Sequence, residues 1–446
     1  MTEPRTDAYR DDRAHVFHSW SAQRTLDPVV VEGGLGATFW DEAGTHYLDF
    51  SSQLVNLNLG HQHPRVVAAI QEQAARLCTI APTFGNAARS SAARLIAGVA
   101  PGDLSHVFFT NGGTEANEHA IRMARATTGR HKILAAYRSY HGATTGSITL
   151  TGDPRRWANE PGMPGVVRFF GPYFYRSPFH ADSLASESSR ALEHLEEVFM
   201  LEGPQTIAAV ILEPVVGTNG ILVPPPGYLE GVRELCSRHG ALLIADEVMS
   251  GFGRCGEWFA VDHWSVVPDL ITFAKGVNSG YVPLGGVILG PRVYSAFAER
   301  PFPGGLTYSG HPLACAAAVA TIGVMQDESI PSRVRDVGER VVRPRLEKLR
   351  DRHPSVGDVR GLGLFWAIEL VRSKETREML VPYNASGAAA KPMADVVAAC
   401  KARGVWPFTH FNRVHVVPPL IISEEDLLRG IDAIDDALDV ADAYVA

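Results

Sequence analysis

Cysteine is scarce in this chain: 446 residues hold five (Cys78, Cys236, Cys255, Cys315, Cys400), an odd number. Their wide spacing excludes CxxC redox or zinc motifs and argues against a disulfide framework, so free thiols are expected. Positive charge is not in excess either. Lys plus Arg total 41 against 49 Asp plus Glu, a net −8, which speaks against a polyanion-binding surface and therefore against nucleic acid as a partner. Long apolar runs are missing, none reaching the roughly 18–20 residues that a membrane-spanning helix needs. The first residues, MTEPRTDAYRDDRAHVF, are too charged for a secretory signal. The expectation is a cytoplasmic protein with no membrane partner. Lysine is the scarcest cation: Lys132, Lys275, Lys348, Lys374, Lys391 and Lys401 are all there are, so each can be judged by its surroundings. Five sit in polar or turn-like stretches, whereas Lys275 follows Asp269-Leu270-Ile271-Thr272-Phe273-Ala274, as a side chain at the end of a buried strand would.

What is present is a 46% apolar chain, long enough for two or three folding units at roughly 100–200 residues each. From about residue 100 to 300, short β-type runs alternate with helical-period stretches, the pattern of a mostly parallel sheet covered by helices. The strands expected are His106–Thr110, Lys132–Ala136, Val166–Phe170, Ala208–Glu213, Ala241–Asp246, Asp269–Ala274 and Gly286–Leu289. Helices are expected at Thr114–Ala126, Leu192–Met200 and Tyr228–His239. Near the N-terminus, residues 36–50 read as a hairpin turning at Asp41-Glu42-Ala43-Gly44. Past residue 313 a long helix precedes strands at Gly361–Leu370 and Arg413–Val417. Both ends therefore form a smaller α+β region, giving a division into residues 1–60, a large domain at 61–312 and a C-terminal part at 313–446. Residues 385–390 read as a flexible loop, and Pro224-Pro225-Pro226-Gly227 as a rigid entry to a helix.

Ligands in such sheets bind at the carboxyl ends of the strands. A lysine there loses hydration, which lowers its pKa and leaves an amine able to condense with a carbonyl; a lysine snorkelling to the surface is the alternative. Ala241–Ala245 ends in Asp246-Glu247, placing a carboxylate at the same edge. It could hold a proton on a pyridinium nitrogen, bind a metal, or serve in an ion pair. No ligand spacing typical of a metal site is found, so no metal is expected. Phe108–Glu118 runs from an apolar strand through Gly112-Gly113 into a helix capped by Thr114, a potential phosphate cradle. Tyr140-His141-Gly142 places an aromatic ring in a loop after the next strand, where it could stack on a planar ligand or simply pack. Amine, carboxylate, aromatic face and phosphate pocket together are the four needs of pyridoxal 5′-phosphate.

The segments Asn111–Asn117 (NGGTEAN), Tyr140–Gly142 (YHG), Glu213-Pro214, Asp246–Arg254 (DEVMSGFGR), Ala274-Lys275-Gly276 and Thr307–Pro312 (TYSGHP) resemble the class III, or ω-, aminotransferases, in order over roughly residues 35–420. The resemblance implies the α/β fold type I of pyridoxal phosphate transferases, with a mostly parallel seven-stranded sheet and a small α+β domain from both termini. It implies that Lys275 bonds the cofactor aldehyde and shuttles the proton, Asp246 pairs with the ring nitrogen, Val248 and Tyr140 flank the ring, and Gly112, Gly113 and Thr114 hold the phosphate. The same resemblance implies that His141 and Glu213 lie beside the cofactor. Thr307 is expected to reach the phosphate of a neighbouring subunit, hence a homodimer with shared sites, or a tetramer built from it. The chemistry implied is ping-pong amino transfer from a small amine donor to an oxo acid acceptor.

Substrate choice turns on departures from that family. Where α-amino acid enzymes place an arginine three residues before the Pro-Pro of the C-terminal strand, this chain has His415, with Arg413 on the same strand face. Where amine:pyruvate enzymes carry an arginine about ten positions before it, this chain has Phe408. Val55 replaces a frequent tryptophan, leaving Trp20 or Phe84 to line the pocket. The resulting expectation is transfer from an ω-amino acid or primary amine, with pyruvate the acceptor. An ornithine-type enzyme using 2-oxoglutarate, a lyase or racemase of the same fold, and a non-catalytic scaffold are the alternatives.

Overall fold

The computed structural model describes residues 6–445. Its strands in chain order are β1 (Val31–Leu35), β2 (Thr38–Asp41), β3 (His46–Phe50), β4 (His106–Thr110), β5 (Lys132–Ala136), β6 (Val166–Phe169), β7 (Ile207–Leu212), β8 (Leu242–Asp246), β9 (Leu270–Phe273), β10 (Gly285–Leu289), β11 (Val356–Leu362), β12 (Phe365–Leu370), β13 (Val405–His410) and β14 (Arg413–Val416). One seven-stranded sheet has the order β4-β10-β9-β8-β7-β5-β6. Only β10 runs against its neighbours, and every other pairing is parallel.

The middle strands are buried on both faces, which explains why they read as continuous apolar runs rather than alternations. Along β7 and β8 the residues split by parity. Ala209, Ile211, Leu242 and Ile244 pack under the helix Gly113–Thr128 through Ala120, Ile121 and Ala124. Val210, Leu212, Leu243 and Ala245 face the opposite layer, where Leu195 and Phe199 of helix Leu184–Glu202 meet Val232 and Leu235 of helix Tyr228–His239. Each buried Ile or Leu there contributes roughly 1.5–3 kcal/mol. The helix at Tyr228 starts where expected, after the Pro-rich connector, with Gly227 at φ +82°.

The second seven-stranded sheet has the order β1-β2-β3-β13-β14-β12-β11 and draws on both ends of the chain, as expected. Its internal layout differs from the sequence reading. Gly361–Leu370 is not one strand but the turn of a hairpin: β11 and β12 pair antiparallel, reversing at Gly363 with φ +58°. β13 was not foreseen, and it pairs parallel with β3 through Val405 and Leu48. The segment 385–390 holds a 3₁₀ turn at Gly387–Ala390 that leads into a helix. Among the described residues no single helix is long and apolar enough to cross a membrane.

Arg254, fully buried, joins the ends to the centre. Its Nη1 donates to the carbonyls of Leu364 (3.1 Å) and Pro418 (2.6 Å), and its Nη2 to Asn58 Oδ1 (3.0 Å) and Ser52 Oγ (3.3 Å). Burial without a carboxylate partner pulls its pKa down to about 9.

Candidate active site

Three adjacent parallel strands deliver three ionisable groups to one edge: Glu213 follows β7, Asp246 ends β8 and Lys275 follows β9. They share a cleft of about 510 Å³ with Gly112, Gly113, Thr114, Tyr140, His141 and Val248. These residues, expected at a cofactor and distant in sequence, are thus brought together.

Lys275 sits at φ +45°, in the left-handed region. A non-glycine residue there costs about 1–3 kcal/mol, and the geometry turns the chain from β9 into a 3₁₀ turn beneath the cleft. Its amine makes no hydrogen bond among the described residues. Burial lowers its pKa below the ordinary lysine value, against the opposing pull of Asp246 and Glu213.

Asp246 is fixed on both oxygens. Oδ2 accepts from Asn117 Nδ2 (2.8 Å) and lies 2.7 Å from His141 Nδ1, and Oδ1 accepts from the Val248 amide (3.1 Å). Asn117 is itself held by Thr272 Oγ1, which donates to its Oδ1 (2.8 Å), and Thr272 is the register partner of Asp246 across β8 and β9. Burial alone would lower the pKa of His141, but its bond to Asp246 and the nearby negative charge raise it. Asp246 therefore faces a cation-prone imidazole on one side while its carboxylate stays available toward the cleft.

Glu213 accepts from the amides of Tyr140 (Oε1, 2.9 Å) and Gly217 (Oε2, 2.8 Å). Burial, with Asp246 nearby, pushes its pKa up to about 7 against the opposing effect of His141 and those bonds.

The helix beginning at Gly113 is capped by Gly112 and has no side-chain cap. The expected Thr114 cap is thus corrected. Its hydroxyl instead accepts from the amides of Ala143 (3.0 Å) and Thr144 (3.3 Å), drawing the loop after Tyr140 against the helix start. The uncapped amides remain for an anion. Only glycine fits at two places here: a Cβ on Gly113 would lie 2.8 Å from the Val248 methyls, and one on Gly285 would lie 2.7 Å from the Gly112 carbonyl carbon. A planar phosphate-bearing aldehyde fits these features, which offer an unbonded amine, a fixed carboxylate, a small-residue cradle and an aromatic ring.

The substrate-side expectations fare differently. Trp20 lines the cleft. Val55 does not, being packed with Val215 and Ile221 while its neighbours Leu54 and Asn56 face the cleft. Phe84 is 58% exposed and outside it. Thr307 is exposed and lies outside this chain's own cleft.

Arg413 is also outside. It is buried against Glu369, with Nε 3.4 Å from Oε2, and lies 3.5 Å from the Tyr173 hydroxyl. His415 is wholly buried and stacked on Phe408, 4.9 Å between centroids. Burial and the neighbouring His410, Arg413 and Arg360 hold its pKa well below the ordinary value, so it is neutral. An arginine buried outside the cleft and a neutral imidazole are unsuited to grip a substrate acid.

A cation that the sequence reading passed over stands nearer. Arg155 lies over the Tyr140 ring, 3.7 Å from its centroid, and is close enough to depress the Lys275 pKa. Asp153 takes its Nε (3.0 Å to Oδ2) and Nη2, leaving Nη1 unbonded. The Asp153-Pro154 turn after an apolar stretch was the available signal. Asn117 was visible inside its motif, but its partner Asp246 is 129 positions away.

Comparison with known proteins adds a second line. The family model for class III aminotransferases matches residues 20–438. The chain is similar to a solved taurine:2-oxoglutarate aminotransferase from Bifidobacterium kashiwanohense, in complex with PLP and glutamate: TM-score 0.95, 40% identity, 98% of each chain covered. It is 36% identical to the 5-aminovalerate aminotransferase DavT of Pseudomonas aeruginosa, over 93% of this chain and 94% of that one. It is 35% identical to a taurine–pyruvate aminotransferase of Rhodobacter capsulatus, over 96% and 95%.

Proposed function

Since the chain belongs to the class III aminotransferases, enzymes working with pyridoxal 5′-phosphate, we propose that it takes the amino group from an ω-amino acid whose far end is acidic and passes it to pyruvate. The observation that carries this reading is Arg155, a guanidinium with one unbonded Nη lying over the ring of Tyr140, which lines the cleft, while Arg413 is buried outside it. An acid group on Arg155 sets the donor's amine toward Lys275. The names of the relatives support it: taurine and 5-aminovalerate both carry an amine at one end and an acid at the other.

The cofactor supplies an aldehyde to receive the amine and a ring that spreads the negative charge left when a proton departs. The residues do the rest. Lys275, its pKa lowered, would hold the cofactor through its amine and, when free, would move the proton at the amine-bearing carbon. Asp246, held by Asn117 and His141, would keep the ring nitrogen protonated. Val248 and Tyr140 would flank the ring, and Gly112, Gly113 and Thr114 would hold the phosphate. Glu213 keeps the Tyr140 loop in place through its amide. Thr307, turned outward, serves the partner's phosphate in a homodimer. In domain terms, residues 61–312 carry the cofactor, while 1–60 and 313–446 form the smaller part.

The test is a donor panel of taurine, β-alanine, putrescine, phenylethylamine and ornithine, each with pyruvate or 2-oxoglutarate. Acid-ended ω-amines should give kcat/KM about tenfold or more above putrescine and phenylethylamine, a charged hydrogen bond being worth about 1.5–3 kcal/mol, and Arg155→Gln should erase that margin. A preference for putrescine or phenylethylamine, unchanged by Arg155→Gln, refutes the reading. Faster turnover with 2-oxoglutarate would reassign the acceptor, which the names of the relatives leave divided.

A further inference from the structure

Behind the cleft, on the other side of Glu213, lies a second cavity of about 80 Å³, partly open to the surface and mostly apolar. A water needs only about 10–15 Å³ of such space, so a small organic molecule has room. Its walls include Leu212, Val216, Leu222 and Leu229, together with two arginines, Arg138 and Arg176. Tyr137 and Phe170, both exposed and stacked at 5.1 Å, stand beside it.

Both arginines have bonding capacity to spare. Among the described residues the Arg138 guanidinium makes no hydrogen bond or ion pair and lies over the Tyr173 ring, 5.0 Å from its centroid. Arg176 gives Nε to Glu369 (2.5 Å) and Nη1 to the Arg377 carbonyl (2.5 Å), while its buried Nη2 has no partner. A buried donor left unmade is costly.

The charge count points the same way. Arg138, Arg176, Arg360 and Arg413 gather around Glu369, which is bonded by the last three, and Asp358 takes one arm of Arg360. Four cations thus face two carboxylates, and two positive charges lack a side-chain counterpart. Arg155, which has its own Asp153, is not among them.

We propose that this cavity is a binding site for a short-chain monocarboxylate, its carboxylate on Arg138 and Arg176 Nη2 and its hydrocarbon tail among Leu212, Val216, Leu222 and Leu229. A guanidinium fork matches a carboxylate in plane, and the apolar walls reward a tail that a bare phosphate or halide lacks. The site is separate from the substrate pocket and touches it only through Glu213, which is in the wall of both.

The experiment is ¹⁹F NMR of 4,4,4-trifluorobutyrate added to the holoenzyme. A bound resonance should appear in wild type and persist in Arg155→Gln, which removes the proposed grip in the cleft. It should weaken tenfold or more in Arg138→Gln and in Leu222→Trp, which fills the cavity without touching the charges, so that one variant covers for the other if either folds poorly. The site is refuted if wild type binds nothing, if the bound signal survives both variants, or if it vanishes only in Arg155→Gln. None of these readouts depends on turnover, so failure here and failure of the proposed reaction are distinguishable.

Discussion

The floor of the cleft and the charge cluster around Glu369 are both built from buried ionisable groups, yet they are arranged to opposite ends. In the cleft, Lys275 is left without a hydrogen bond, in a strained backbone conformation and with a lowered pKa. Around Glu369 the charges are spent on one another. Burial would raise the Glu369 pKa, but Arg360, Arg413 and Arg176 push it well below the carboxylate range, and Tyr173 donates to it as well. The first region gives up stability for reactivity, whereas the second uses charge to tie Arg360, Glu369 and Arg413 of the smaller sheet to Tyr173 and Arg176 near the larger one. A buried ion is no sign of catalysis by itself; an unspent one in a cleft is a better sign.

Four substitutions should sharpen or break that contrast. Lys275→Ala is expected to cut turnover by at least ~10²–10⁴-fold without loosening the fold, read from product formation beside a urea unfolding curve. If it unfolds the protein instead, the lysine is a structural ion after all. Asp246→Asn should lower kcat by roughly 10²–10³-fold, because Asn117 and His141 then orient a group that can no longer balance a ring proton. Stopped-flow absorbance of the half-reaction would show it. Glu369→Gln should do the reverse. It leaves Arg176, Arg360 and Arg413 short of a counter-charge, costing about 3–5 kcal/mol in urea unfolding, while the folded fraction turns over near the wild-type rate. Equal loss of stability and of intrinsic rate would merge the two regions into one.

The smallest effect concerns pH. Glu213 has its pKa raised from the ordinary carboxylate range up to about 7, mainly by burial, so its folded state holds a proton that the unfolded chain releases earlier. Its contribution is therefore fully present at acid pH and declines as pH rises from about 4.5 to about 7. Glu213→Gln should flatten that part of the stability–pH curve. An unaltered curve would mean that the carboxyl is ionised and solvated throughout.

The sequence revealed the larger sheet because its signal is local. Each of β4 to β10 is an apolar run long enough to be seen alone, and the predicted limits agree with the structure to within one residue at almost every end. The residues at the ends of those strands followed directly. The smaller sheet resisted because its pairings are remote: Leu48 meets Val405, and the reversal between β11 and β12 at Gly363-Leu364 lacks the polar turn residues that would mark it. Arg413 shows the same limit more sharply. Strand alternation placed it on one face with His415, but whether that face met a substrate or a carboxylate depended on Glu369 and on Tyr173, 240 positions away. Arg155 was passed over because the Asp153-Pro154 turn before it marks a change of chain direction but not that its guanidinium will lie on Tyr140.

The four bonds of Arg254 give the molecule the topology of a purse-string. Shortening the chain at its beginning, so that Ser52 and Asn58 go, and shortening it at its end, so that Pro418 goes, rob the same guanidinium, two residues along from the Phe252 carbonyl that Asn58 Nδ2 grips. Chimeras with a relative would for that reason have to exchange both ends together. Grafting one alone would strand a positive charge in the interior, and the damage would be felt at Gly276, which has no room beside Asn58 and directly follows Lys275.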